Sequence, residues 1–481
     1  MRKGHGYVMK VCLIVEGAYP YVNGGVSSWI QQLILSMPEV EFVVQTIAAA
    51  PNAGQQFKYK IPPNVSEIQE VYLLDDDYIT NRIQRKIRLS GEEYDAFESL
   101  MFGCRPDWNV IIRFFAEKEV SLNALLSGKD FYRMTLNYYN ENFSRVIFSD
   151  FLWTMRSLYL PLFTILKSRI EKADIYHSAS GGYAGIWGSL QTNLTGRPFL
   201  MTEHGLYTRE REEEIIKADW VSGIYKDLWI EQFRKIGECC YDHARKVVSL
   251  FEDARKFQIE LGCPAEKTLV IPNGVNYKNF ENILKKEEHD QYINIGAVLR
   301  VTPIKDVKTL LSAFALAKSR DSRLKLYIMG SMEEAKDYAE ECREMVRDMQ
   351  IEDVVFTGIV QVKEYIGKMD FMILTSISEG QPLSILEGFA ARKPYIATDV
   401  GNCRGLIYGE RDDYGRAGCV VPVMNVQKIA EAILMLASGE KERESMGEAG
   451  YRRAAELYNE TDVFDRYRRL YEQLVCQEGV D

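Results

Sequence analysis

Ser376-Ile377-Ser378-Glu379-Gly380-Gln381-Pro382-Leu383-Ser384-Ile385-Leu386-Glu387 follows the apolar run Phe371–Leu374 and leads into apolar residues at helical spacing. The run reads as a buried strand, the Ser/Gly-containing part as a loop, and Pro382 as a first-turn residue of a helix. Such a junction presents free backbone N–H groups at the helix start, and with the helix dipole they suit a diphosphate. Glu379 in the loop and Glu387 one to two turns into the helix can each accept hydroxyl protons. Taken alone, a loop acid and a solvated helix residue is the commoner reading of such a pair, so the flanking sequence decides.

About eighty residues earlier, Gly296-Ala297-Val298-Leu299-Arg300-Val301-Thr302-Pro303-Ile304-Lys305 sets an Arg and a Lys just beyond a strand. The carboxyl end of a parallel sheet is where its ligand crevice opens, and two cations there can neutralise a leaving diphosphate. Between and beyond these stretches, strands at 293–296, 324–328, 354–356, 371–374 and 395–398 alternate with helices at 307–317, 333–349, 383–391 and 426–436. Alternation of this kind predicts a doubly wound domain with a parallel sheet.

The same alternation opens the chain: a strand over 10–15, a loop through Gly24-Gly25, a helix over about 26–37 and a strand over 41–47. From about 75 to 172 the pattern becomes aromatic-rich and helical, as in Asn140–Ile170, which predicts a helical insertion. Strand signals return at 175–177, 199–202, 247–249 and 269–271. The expected organisation is a first domain over 1–284 with its insertion, a second over 285–455 after the charged linker Lys285–Asp290, and a final amphipathic helix over 456–481 packing back on the first.

Composition bounds what this architecture can do. The chain has 481 residues, 46% hydrophobic and 27% charged, and its 59 basic and 69 acidic residues leave a formal charge of −10. That balance disfavours a nucleic-acid or anionic-lipid surface, so any phosphate contact is local. Nine scattered cysteines without paired CxxC spacing read as reduced, buried thiols of a cytosolic protein, with neither a disulfide framework nor a zinc site. Val11–Val15 is cut by Glu16 and reads as a strand, not a secretory signal; Val146–Leu166 carries Asp150, Arg156 and Pro161 and falls short of a membrane span.

Arg300 followed five positions later by Lys305, and Glu379 separated from Glu387 by seven residues, together resemble the retaining glycosyltransferase family four, over nearly the whole chain. The resemblance implies GT-B: two Rossmann-like doubly wound domains facing across a cleft. It further implies that Arg300 and Lys305 hold a donor diphosphate, Glu379 meets the donor sugar, Glu387 the ribose, and Gly380 with the N–H groups of Leu383 and Ser384 the phosphates. No metal is required on this reading, and no cofactor beyond the sugar-nucleotide donor. Where the family has Gly after the Lys, this chain has Asp306.

In the first domain, Gly24 and Gly25 between strand and helix allow close backbone approach by a phosphate or sugar, resembling the family's glycine loop. His204, in Thr202-Glu203-His204-Gly205, resembles the family histidine placed against the donor sugar. Glu203 and Arg209-Glu210-Arg211 read equally as acceptor contacts or as a solvated charged turn. The wording Glu16–Trp29, Thr202–Arg211 and Pro303–Asp306 is similar to a narrower group, the cytosolic glycosyltransferases of Pel-type bacterial exopolysaccharide operons. That likeness implies a UDP-hexose donor, a growing polysaccharide acceptor, and a cytoplasmic enzyme held peripherally at the inner face of the plasma membrane by a membrane-embedded synthase or export complex. Two rivals stand: Leu73-Leu74-Asp75-Asp76-Asp77 as a DxD metal site on the donor diphosphate, and a sugar-nucleotide-binding regulator of a membrane synthase that catalyses nothing.

Overall fold

A computed structural model describes residues 8–17, 19–49, 56–73, 87–410 and 412–477. It separates into two compact units, residues 1–270 with 467–481, and residues 271–466. Each is built on one all-parallel sheet with helical crossovers.

The first sheet contains β1 (Lys10–Glu16), β2 (Glu41–Ala48), β3 (Val65–Tyr72), β4 (Ile175–Ser178), β5 (Phe199–Glu203), β6 (Lys246–Ser249) and β7 (Thr268–Val270), in the order β3-β2-β1-β4-β5-β6-β7. The second contains β8 (Ile293–Val298), β9 (Leu324–Met329), β10 (Val354–Gly358), β11 (Phe371–Leu374), β12 (Tyr395–Thr398) and β13 (Gly418–Val421), in the order β10-β9-β8-β11-β12-β13. Both orders reverse beside the first strand, between β1 and β4 and between β8 and β11. Such a switch point opens a crevice at the carboxyl ends of the strands.

Burial explains why these runs are continuous rather than alternating. In β11, Phe371 and Ile373 face one core cluster while Met372 and Leu374 face the other, so every residue of the strand is covered. Strand β3, Val-Ser-Glu-Ile-Gln-Glu-Val-Tyr, escapes sequence reading because it is a half-buried edge with polar residues throughout. The expected helical segment Asn140–Ile170 is two helices, Lys129–Asn142 and Phe148–Lys167, broken at the Phe143–Ile147 turn. Its aromatic residues are mostly core: Phe151, Tyr159 and Phe163 are buried, whereas Trp153 is exposed.

The expectation that the cysteines are buried holds for Cys12, Cys239, Cys240, Cys263, Cys342 and Cys403; Cys104 and Cys476 are exposed. No described helix is long and apolar enough to cross a membrane. The last helix starts at Glu460, and from Tyr467 onward it belongs to the first unit. There Tyr471 Oη lies 2.7 Å from His177 Nδ1, whose Nε2 lies 2.9 Å from Thr202 Oγ1. Burial pushes His177 down to about 3, so the ring is a neutral structural link at physiological pH.

Candidate active site

Two loops leave the switch point of the second sheet and are stitched together there. After β8 the chain makes one 3-10 turn, Pro303–Lys305, before the helix Val307–Lys318; after β11 it runs through Thr375–Gln381 into the helix Leu383–Ala390. Thr375 Oγ1 donates to the Lys305 carbonyl at 3.1 Å, and the Ile377 N–H donates to the Ile304 carbonyl at 2.8 Å. This stitching brings residues 74 positions apart together: Lys305 Nζ lies 2.5 Å from Glu379 Oε1, with both side chains largely buried. Ser376 Oγ donates to the same carboxylate oxygen. Among the described residues both bonds fall on Oε1, which leaves Oε2 as the acceptor for an incoming hydroxyl.

Asp306 resolves the departure from the family pattern. Its φ of 47° is left-handed, a conformation that glycine adopts freely and Asp tolerates better than most residues. It is also the N-cap of the following helix, its Oδ1 accepting from the Thr309 N–H at 3.4 Å. Asp therefore meets the turn geometry and adds a cap.

Arg300 is not part of the Lys305–Glu379 pair. It stands exposed, its Nη1 donating to Glu334 Oε2 at 2.6 Å. An exposed pair of this sort is worth about 0–1 kcal/mol, so an arriving anion can recruit the guanidinium at small cost.

Pro382 is the N-cap, and Leu383 and Ser384 are the first helical residues, so their N–H groups are among the donors that a helix leaves unpaired at its start. Glu387 is enclosed in the first turns of that helix, and burial pushes its carboxyl up to about 7, with Lys363 opposing the shift. A half-protonated carboxyl near neutral pH can both donate to and accept from a diol.

Residues unassigned from sequence hold this loop. Gly401, just past β12, has φ +50°, and a Cβ there would lie 2.2 Å from the carbonyl oxygens of both Glu379 and Gly380. The Asn402 N–H donates to the Gly380 carbonyl at 2.9 Å. Asn273 clamps the other side, its backbone N–H donating to Gln381 Oε1 at 2.6 Å and its Nδ2 to the Gln381 carbonyl at 3.2 Å. The turn composition Pro272-Asn273-Gly274 and the Gly after β12 were the available signals.

In the first unit the crevice residues differ. Gly24 is exposed and extended at the N-terminus of the helix Gly25–Ser36, and nothing lies within 4 Å of where its Cβ would be. His204 follows β5, its ring 4.6 Å from that of Trp29, and its Nε2 is buried with no hydrogen-bond partner among the described residues. Burial pushes it down to about 4, so it is neutral at pH 7.

Glu203 is neither an acceptor contact nor part of a solvated turn. It is 4% exposed, and its Oε2 accepts from Tyr241 Oη and Gln258 Nε2, both at 2.9 Å. Arg211 pairs with Glu214 at 2.6 Å and with Glu16, at the end of β1, at 3.5 Å. Asp75, Asp76 and Asp77 lie outside the described residues; among the described ones no group of three or more His, Cys, Asp or Glu is placed to hold a metal.

Comparison with known proteins falls into the same two halves. Residues 9–266, more than half the chain, match the family described as domain of unknown function DUF3492, and residues 292–438 match glycosyl transferases group 1. The capsular polysaccharide biosynthesis glycosyltransferase CapM of Staphylococcus aureus is 21% identical over 65% of this chain and 82% of its own length. The alpha-monoglucosyldiacylglycerol synthase of Streptococcus pneumoniae is 26% identical over 54% of this chain and 62% of its own.

Among solved structures, Anabaena Alr3699/HepE in complex with UDP-glucose superposes with a TM-score of 0.62 at 13% identity, covering 97% of this chain and 100% of that one. Sucrose-phosphate synthase from Thermosynechococcus elongatus gives 0.62 at 16%, covering 98% and 100%. With the DUF3492 pattern over its first half, the group 1 pattern over its second, and two Rossmann-like parallel sheets, the chain belongs to the DUF3492 family and is a group 1 glycosyltransferase of the GT-B fold.

Proposed function

We propose that the protein transfers a hexose from a UDP-sugar to a growing bacterial exopolysaccharide of the Pel type, with retention at the anomeric carbon and without a metal. The observation that carries the reading is the Lys305–Glu379 pair at the switch point of the second sheet, beside the unpaired N–H groups of Leu383 and Ser384. The pair has a cation for a diphosphate and a carboxylate with one free oxygen for sugar hydroxyls.

On this reading Lys305, Arg300 and the helix start stabilise the charge that develops on the departing nucleoside diphosphate, an interaction strongest in the transition state. Glu379, itself held by Ser376 and Gly401, orients the sugar, and Glu387 bonds the ribose diol. His204 is assigned to sugar binding as a neutral hydrogen-bonding ring, and the loop at Gly24 and Gly25 to close backbone approach by the donor. Arg300 and Lys305 supply the neutralisation that a metal would otherwise provide, which supports the metal-free reading over the DxD alternative. UDP-glucose in the HepE complex and the capsular polysaccharide pathway of CapM support the donor and acceptor classes. A cytoplasmic location, peripheral to a membrane-embedded synthase or export complex, is part of the same proposal and follows from the acceptor.

The test is turnover and slow hydrolysis of a panel of uridine, guanosine and adenosine diphosphate sugars by the purified protein, with EDTA present and with Glu379→Ala and Lys305→Ala as controls. The expected result is EDTA-resistant turnover of one uridine diphosphate sugar, weakened by both substitutions. Loss of activity in EDTA restored by a divalent cation would favour the DxD reading. Tight donor binding with no turnover, acceptor and partners included, would favour the regulator.

A further inference from the structure

At the amino end of the second sheet, away from the loops just described, lies a pocket of about 500 Å³. Its walls include Lys285 and Lys286 from the charged segment before β8, Asn294 in β8, Tyr327 in β9, and Tyr365 and Lys368 beyond β10. From Asn294 to Val298, where β8 ends and the loop to Lys305 begins, is four residues or about 13 Å at strand rise, so this is a different place from the Lys305–Glu379 site. The volume is that of a small-molecule site.

Part of this surface is explained by the fold. Lys286 Nζ lies 2.7 Å from Asp370 Oδ2, and the same carboxylate oxygen accepts from the Asn294 N–H at 2.7 Å, pinning the segment to the starts of β8 and β11. Asp290 accepts from the Tyr292 N–H and from Asn294 Nδ2. Two features are left over. Lys285 and Lys368 have no carboxylate partner among the described residues, and Lys368 lies over the Tyr365 ring at 5.4 Å. Asn294 is 2% exposed, with Nδ2 donating to Asp290 and to the Lys368 carbonyl, yet its Oδ1 has no donor among the described residues. Buried side-chain acceptors are nearly always satisfied, by protein groups or by ordered water.

The pocket lining is of mixed charge, Lys285, Lys286 and Lys368 with Glu287 and Asp290, and further lysines lie around it. Lys325 lies near the Tyr327 ring, and the buried Lys393 donates to the Gly367 carbonyl beside the pocket. Burial pushes Lys393 down to about 8, with Asp370 opposing the shift and Lys286 and Lys285 adding to it.

We propose that this pocket is a second ligand site for a hexose phosphate, with Lys285 and Lys368 on the phosphate, Asp290 taking hydroxyl protons, and Tyr327 and Tyr365 against the apolar face of the sugar ring. The residue types match that pairing of charges and hydroxyls: ammonium groups bind phosphate as point charges, and tyrosine offers an apolar face with a polar rim.

The experiment is calorimetric titration of glucose 1-phosphate, inorganic phosphate and glucose into the full chain carrying Arg300→Ala and Lys305→Ala, which disables the proposed donor site. Saturable binding of glucose 1-phosphate, at least tenfold tighter than either fragment, is expected. Adding Lys285→Glu with Lys368→Glu is expected to weaken it at least tenfold at unchanged circular dichroism. No saturable binding at millimolar concentration, or binding indifferent to the charge reversal, overturns the site; equal binding of inorganic phosphate overturns the hydroxyl half. Since the donor-site pair is already removed, the outcome is independent of whether the donor proposal holds.

Discussion

The two sheets share a strand order around their switch points, yet the crevices they open are chemically unlike. At β8 and β11 the crevice holds an ion pair, Lys305 with Glu379, in loops of which one leads into an open helix start, while the exposed Arg300 pairs with Glu334. At β1 and β5 it holds His204 as a neutral ring, Glu203 accepting from Tyr241 and Gln258, and Glu16 paired with Arg211. Topology decides where a crevice falls; the residues in its loops decide whether it receives an anion or a neutral, hydroxyl-rich surface.

The sharpest way to break this contrast is at Lys305. Lys305→Ala is expected to lower kcat by about 100- to 1000-fold, the usual effect of removing one transition-state charge stabiliser. Arg211→Ala, removing the cation paired with Glu16 at the end of β1, is expected to change kcat far less. Equal losses in steady-state assays would show that both crevices handle the diphosphate.

The state of Glu203 gives the next largest effect. Its carboxyl sits at about 7 against an ordinary 4.5, mainly through burial. The folded chain thus holds this proton where the unfolded chain has lost it, and stability falls as pH rises from about 4.5 through 7. Glu203→Gln stays neutral throughout, so relative to wild type it is expected to gain about 3 kcal/mol between pH 4.5 and 8 in urea unfolding. A constant difference would mean that Glu203 is ionised in place, and the first crevice would not be the neutral one.

His204→Ala is expected to cost about 10- to 100-fold in kcat/KM, the loss of one hydrogen bond in a dry site. Because the ring is already neutral, the pH profile between 5 and 7 is expected to keep its shape. An inflection near 6 that vanishes in the variant would show a titrating, charged histidine. The smallest effect is at Asp306: Gly relieves the left-handed strain but loses the cap, so Asp306→Gly is expected to shift stability by only about 0.5 kcal/mol or less. A large loss would mean that Asp306 does more than cap the turn.

Much of the fold was legible because a parallel sheet covered on both faces demands continuous apolar runs, and Val11–Val15 and Phe371–Leu374 are such runs. The half-buried edge β3 has no such demand and left little trace. The candidate site was legible as residue types at a junction: Lys305, Glu379, Leu383, Ser384 and Glu387 follow from loop and helix-start chemistry. Arg300 was read with Lys305, although the structure pairs it with Glu334.

By itself, then, the sequence determined the alternating layers, the strand-loop-helix junctions and the charge types at them, since these depend on local periodicity and capping. Only the tertiary structure decided that Lys305 reaches Glu379 across 74 residues, that Gly401 and Asn273 clamp the loop between them, and that Glu203 turns inward to Tyr241 and Gln258. Those contacts exist because strand order makes neighbours of loops far apart in the chain, and no local spacing records which loop meets which.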